Sequence, residues 1–253
     1  MQRRKVFILG DSHTTAIAEA VKRRQETGKD VDSPLDFYAS RFSKQKANGA
    51  VVPGLSPQDA EALLSKARKT DVLVCVLGGN QYNTLGLLEH AEPFDLIEPE
   101  TKADPQPTDA RIIPLNQMNA AFTAFVGSVR RAVAHHMTGF KGETFYLNPP
   151  PPKSDNAYIK KNAEGYFRSE GKVRLNVSPP DMRRRLWSVQ SQALSRMCED
   201  LGVRFVDSPD AAKDNGFLKL DCYGADATHA NAHYGELILL QLERLLIDNK
   251  VSS

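Results

Sequence analysis

The sequence predicts an α/β protein with a parallel sheet covered by helices on both faces, and three observations carry that prediction. Short β-branched and aromatic runs alternate along the chain with stretches of helical period. The third run, residues 72–77, is nearly all apolar, as a strand buried on both faces should be. At 253 residues the chain is long enough for one sizeable core and short for two, so a single domain over residues 1–253 is expected.

The elements follow in order. Val6-Phe7-Ile8-Leu9, closed by Gly10-Asp11, reads as a short buried strand. Residues 14–29 place Ile17, Ala20, Val21 and Arg24 at helical spacing. Residues 35–39 read as a second strand, 41–53 as a loop, and 57–69 as a helix with Ala60, Leu63, Leu64 and Ala67 on one face. The strand at 72–77 comes next. Residues 118–137 are helical, with Phe122, Phe125, Val126, Val129 and Val133 spaced for burial. A strand at 144–147, a helix at 182–201, a fifth strand at 203–206 and a helix at 231–248 complete the alternation.

Two insertions interrupt it, at about 81–116 and 148–180. The first is long for a connection without regular structure and is acidic, with Glu89, Glu92, Asp95, Glu98, Glu100, Asp104 and Asp109 against Lys102. The second opens with four prolines. With the adjoining helix start it carries Lys153, Lys160, Lys161, Arg168, Lys172, Arg174, Arg183, Arg184 and Arg185. Both leave the carboxyl ends of strands, the edge where open α/β sheets bind ligands. They read either as a lid or substrate platform, whose cations would favour an anionic substrate, or as solvated surface loops.

Composition narrows the class. A hydrophobic fraction of 41% and a charged fraction of 25% are those of an ordinary globular protein, and a formal net charge of +2 argues against a dedicated nucleic-acid binder. No stretch approaches the length of a transmembrane helix, and the apolar run after the basic start is too short for a signal peptide. Cys75, Cys198 and Cys222 are an odd count without close pairs, so no disulfide framework is expected and a reducing, cytoplasmic setting is.

Three short motifs carry chemistry. In Gly10-Asp11-Ser12-His13, Ser12 falls on the turn between a strand and a helix. There a hydroxyl is exposed and the helix's first N–H groups can stabilise negative charge. Asp11 or Ser12 as a plain helix cap is the alternative, and the tetrapeptide leaves both open. Asp226-Ala227-Thr228-His229 places an acid and an imidazole on one turn, the base and orienter that a serine nucleophile needs. Gly78-Gly79-Asn80 follows the third strand, where an Asn amide can serve as an oxyanion donor.

In this order and spacing the three motifs resemble the SGNH (GDSL) hydrolase superfamily over residues 6–246, and Asp226 to Asn231 with Tyr234-Gly235 is similar to its final block. The resemblance implies a three-layer α/β/α sandwich with a five-stranded, flavodoxin-like parallel sheet of order 2-1-3-4-5. It makes Ser12 the nucleophile, His229 the base and Asp226 its orienter. The oxyanion hole it implies comprises Ser12, Asn80 and a glycine after the second strand, for which Gly49 is the better match and Gly54 the alternative. Asp11, His13 and Gly79 are then the candidate substrate contacts, and His13 resembles family branches that act on acyl groups of carbohydrates.

The activity implied is removal of a small acyl group, such as acetyl, from a saccharide or other small polar ester. An O-acyltransferase with the same triad and a silent carbohydrate-binding module are the alternatives. A metal set can be drawn from Cys222, Asp226, His229 and His233, but no second cluster completes it and the serine motif already accounts for His229. No metal, cofactor, nucleic acid or membrane is expected.

Overall fold

The computed structural model describes residues 2–45, 49–90, 92–97, 110–163 and 176–248. Its central strands are β1 (Arg4–Gly10), β2 (Leu35–Arg41), β3 (Val72–Val76), β4 (Glu143–Leu147) and β5 (Arg204–Val206). They pair in the order β2-β1-β3-β4-β5, every neighbour parallel. The helices are α1 (Thr14–Glu26), α2 (Pro57–Ser65), α3 (Gln81–Gly86), α4 (Leu115–Met137), α5 (Asn156–Asn162), α6 (Pro180–Leu201) and α7 (Ala232–Asp248). This is the three-layer α/β/α arrangement and strand order expected.

Side-chain alternation along the strands builds the two outer layers. Phe7, Leu9, Leu73, Cys75 and Tyr146 face α2, α4 and α6 through Leu64, Phe122, Val126, Leu186 and Leu194. Val6, Ile8, Val72, Val74 and Phe145 face α1 and α7 through Ile17, Val21, Ile238, Leu239 and Leu242. Arg24 is a charged member of that second layer, 2% exposed. It bonds Glu236 at 2.7 Å and Glu243 at 2.6 Å, pinning α1 to α7. A buried cation of this kind is tolerated because two carboxylates answer it.

Register positions the functional edge. Gly10 pairs with Arg41 on one side and Val76 on the other, so the ends of β2, β1 and β3 are level. The segments after them therefore share one rim of the sheet. Gly10 has to be glycine there, because a Cβ would sit 1.9 Å from the Val76 carbonyl oxygen.

Several boundaries differ from the expectation. α2 stops at Ser65, while Ser56 caps its start by accepting the Asp59 N–H at 3.1 Å. α6 starts two residues early with Pro180 in its first turn and ends at Gly202, whose φ of +65° suits a helix stop. The loop at 41–53 holds a short antiparallel ladder, Lys44–Gln45 with Val51–Val52. The first insertion is not without regular structure, since it contains α3 and a parallel ladder of Phe94–Ile97 with Arg111–Pro114. The second contains α5, while Arg168, Lys172 and Arg174 lie outside the described residues, as do Glu98, Glu100, Lys102, Asp104 and Asp109.

Candidate active site

The turn after β1 is fixed by backbone. The Asp11 N–H bonds the Val76 carbonyl at 2.7 Å, and the Asp11 carboxylate accepts the Gly78 N–H at 2.8 Å. Neither Asp11 nor Ser12 caps α1: its N-cap is His13, with no side-chain cap bond. The capping alternative is thereby removed, and the Ser12 hydroxyl is directed elsewhere. It lies 2.7 Å from His229 Nε2.

His229 belongs to the turn before α7. Its Nδ1 lies 2.6 Å from Asp226 Oδ2, while Asp226 Oδ1 accepts the Thr228 N–H at 2.9 Å and the His229 N–H at 2.7 Å. Burial works to raise the Asp226 carboxyl, but the bonds and charge of His229, with the Thr228 N–H, outweigh it and hold the group well below the usual carboxylate range. An ionised Asp226 accepts the hydrogen bond of Nδ1–H, leaving the Nε2 lone pair for the serine hydroxyl.

The third wall comes from the segment after β3. Gly78 has φ +65°, and Gly79 passes so close to His13 that a Cβ would lie 2.5 Å from its ring. Asn80 Oδ1 accepts from Asn83 Nδ2 at 3.3 Å, so the amide presents its NH₂ on the side away from that bond. His13 is 6% exposed, with its ring centroid 5.1 Å from that of His229. Burial first, then the neighbouring His229, pushes its imidazole down to about 3, against the weaker opposing influence of Asn80 and Asp226. His13 is neutral at ordinary pH. Neither ring nitrogen completes a hydrogen bond of good geometry, although Asn80 lies near enough to favour the protonated ring.

Asp11, Ser12, His13, Gly78, Gly79 and Asn80 line a cavity of about 330 Å³, closed on the β2 side by Arg41, Phe42, Ser43 and Lys44 and at α3 by Gln81. A larger cavity of about 450 Å³ beside Phe94 and Met182 contains none of these residues and no nucleophile–base pair, so the smaller one is the candidate site. Gly49 is not in the lining. It is exposed just before the Val51–Val52 strand of the ladder, and a Cβ built there would have nothing within 4 Å. Gly54 instead packs under the Arg41–Ser43 backbone, where a Cβ would meet the Arg41 oxygen at 2.5 Å.

The basic insertion departs furthest from its expected role. Lys153 is 2% exposed, and its Nζ donates to the carbonyls of Gly224 (2.9 Å) and Asp226, with the Tyr158 and Tyr223 rings each 4.8 Å away. Burial pushes this ammonium down to about 8, partly offset by Asp226. Arg183 is fully buried and donates to the Lys153 carbonyl at 2.9 Å and to Asn156 Oδ1 at 2.8 Å. These two cations hold the loop behind the Asp226 turn and do not line an approach to Ser12. Lys160 and Lys161 are exposed on α5.

His233 turns away from the Ser12 site. The ligand atoms of Asp221, Cys222 and His233 lie within 4.8 Å of one another, a different set from the one drawn in the sequence. Burial first, then Asp221, pushes the Cys222 thiol up to about 12. Cys75, Cys198 and Cys222 are buried free thiols. No helix among the described residues is long and apolar enough to cross a membrane.

The sequence matches no protein-family model and no curated protein. Solved structures do match. The periplasmic domain of a lipopolysaccharide acetyltransferase from Salmonella ser. Paratyphi A aligns at TM-score 0.50 and 12% identity, over 99% of this chain and 84% of that one. A GDSL-like lipase from Bacteroides thetaiotaomicron aligns at 0.43 and 10%, over 97% and 89%. A carbohydrate acetylesterase from Sinorhizobium meliloti aligns at 0.44 and 13%, over 97% and 99%. At such identities the likeness concerns the fold alone. The fold is a three-layer α/β/α sandwich around a five-stranded parallel sheet, and the acetyltransferase domain shares it. Within this fold, the cavity residues that the sequence did not single out are Arg41 to Lys44 and Gln81, which stand at or soon after strand ends.

Proposed function

We propose that this protein is a serine esterase that removes a small acyl group, acetyl in the simplest case, from a carbohydrate or other polar ester. The observation that carries the reading is the unbroken hydrogen-bonded chain from Ser12 through His229 to Asp226 at the edge of a small, largely polar cavity. His229 takes the Ser12 proton as Oγ attacks the ester carbonyl. The Ser12 N–H and the Asn80 NH₂ receive the oxyanion, and His229 returns the proton to the departing alcohol. Water, activated by His229, then releases the acyl group from Ser12. Lys153 acts on this chain from behind, through the backbone of the Asp226 turn. The cavity's size favours a short acyl group, and the three free thiols support a reducing, cytoplasmic setting.

A fluorophosphonate probe followed by mass spectrometry tests the mechanism: the label should fall on Ser12 and vanish in Ser12→Ala, together with turnover of a short-chain ester. A label elsewhere, or undiminished turnover in that variant, ends the serine reading. Adding a saccharide acceptor and analysing products separates hydrolysis from acyl transfer by the same triad.

A further inference from the structure

The cavity beside Ser12 is not electrically balanced. Arg41 and Lys44 line it, and no carboxylate among the described residues pairs with either. Asp11, the one acid in the lining, has an oxygen engaged by the Gly78 N–H. His13 is neutral, and Asp226 lies behind His229. A cavity lined by two cations without an acidic partner suits an anionic ligand.

We propose that the substrate of this site carries an anionic group, a carboxylate or a phosphate, beside its ester, with Arg41 as the residue that selects it. The inference rests on the esterase reading above and adds a substrate class to it. Arg41 lies level with Gly10 in the sheet and lines the cavity together with Ser12 and Asn80. Its planar fork suits either anion bidentately, and Lys44, exposed at the rim, adds field without geometry.

The test compares matched esters on the full-length protein: an O-acetylated methyl glucuronoside, an O-acetylated glucose 6-phosphate and a neutral O-acetylated methyl glucoside. The wild type should favour an anionic ester by about tenfold or more in kcat/KM, mainly through KM, as a charge-assisted contact implies. The ratio should fall towards one in Arg41→Gln, recover in part in Arg41→Lys, and shrink with added salt. Lys44→Gln, at an exposed position that cannot endanger folding, should lower it less. Preference for the uronate, the phosphate or both supports the proposal and identifies the source of the anion. Equal kcat/KM for all three, or a ratio that Arg41→Gln leaves unmoved, overturns it while the esterase reading stands. Calorimetric binding of the same esters to Ser12→Ala keeps the two apart. Anion preference there, with no hydrolysis by the wild type, would end the esterase reading and leave this one standing.

Discussion

The carboxylate of Asp11 accepts the N–H of Gly78, 67 residues further along the chain, at 2.8 Å. This bond ties the turn after β1 to the turn after β3. The position of Ser12 is thereby set relative to Asn80 rather than only to its own helix. Neutral replacement should loosen both turns together. Asp11→Ala is expected to lower kcat more than it raises KM, because transition-state geometry depends on both turns. Steady-state kinetics on a short-chain ester check this; a change confined to KM would make Asp11 a simple substrate contact.

The orienting acid should matter less than the base. Asp226 Oδ1 is already engaged by two backbone N–H groups, so Asp226→Asn can keep the turn while losing the charge behind His229. We expect His229→Ala to be more damaging than Asp226→Asn, although the two act as one unit and their losses will not add. Equal losses would mean that Asp226 does more than orient.

Asn80 lines the cavity beside Ser12, and its amide oxygen accepts from Asn83, which turns the NH₂ to the other side. Asn80→Ala should cost ~10²–10³ in kcat with little change in KM, the range for one oxyanion donor. A loss seen mainly in KM would reassign Asn80 to ground-state binding.

How much was legible in the sequence follows from what each feature depends on. The sheet was legible because Val6 to Leu9 and Val72 to Val76 are buried on both faces, which leaves the same mark in any parallel sheet. Ser12, Asp226 and His229 were legible because their spacing within each turn is local, even though 217 residues separate the bonded serine and histidine. Gly49 lies outside the cavity lining, next to a two-residue ladder too short to show a period in the sequence. Lys153 was misread for a different reason. Charge in a run says nothing about direction, and only the fold brings Tyr158, Tyr223 and the Gly224 carbonyl around its ammonium.

His13 should not shape the pH profile. Its imidazole is pushed down to about 3, first by burial and then by His229, so it stays neutral through the working range. A His13→Gln variant should lose activity several-fold while the acid limb of kcat/KM keeps its position. Were that limb to move, His13 would be titrating where the reaction runs, and its neutrality would have to be abandoned.

Lys153 should leave a signature in stability against pH. Burial holds its folded-state value near 8, below the ordinary 10.5, with Asp226 only partly opposing. Between those values the unfolded chain keeps a proton that the folded protein has lost, so this residue makes stability rise with pH across that window. Below about pH 8 both states are charged and its contribution is flat. Comparison with Lys153→Met isolates the effect from other alkaline titrations. The melting temperature of the wild type relative to the variant should climb from pH 8 to pH 10 and stay level from pH 6 to pH 8. A difference constant over the whole range would mean that the cage of Tyr158 and Tyr223 and the two carbonyls compensates the ammonium fully. A difference that falls with rising pH would mean that the contacts favour the charged form, placing the folded-state value above the ordinary one.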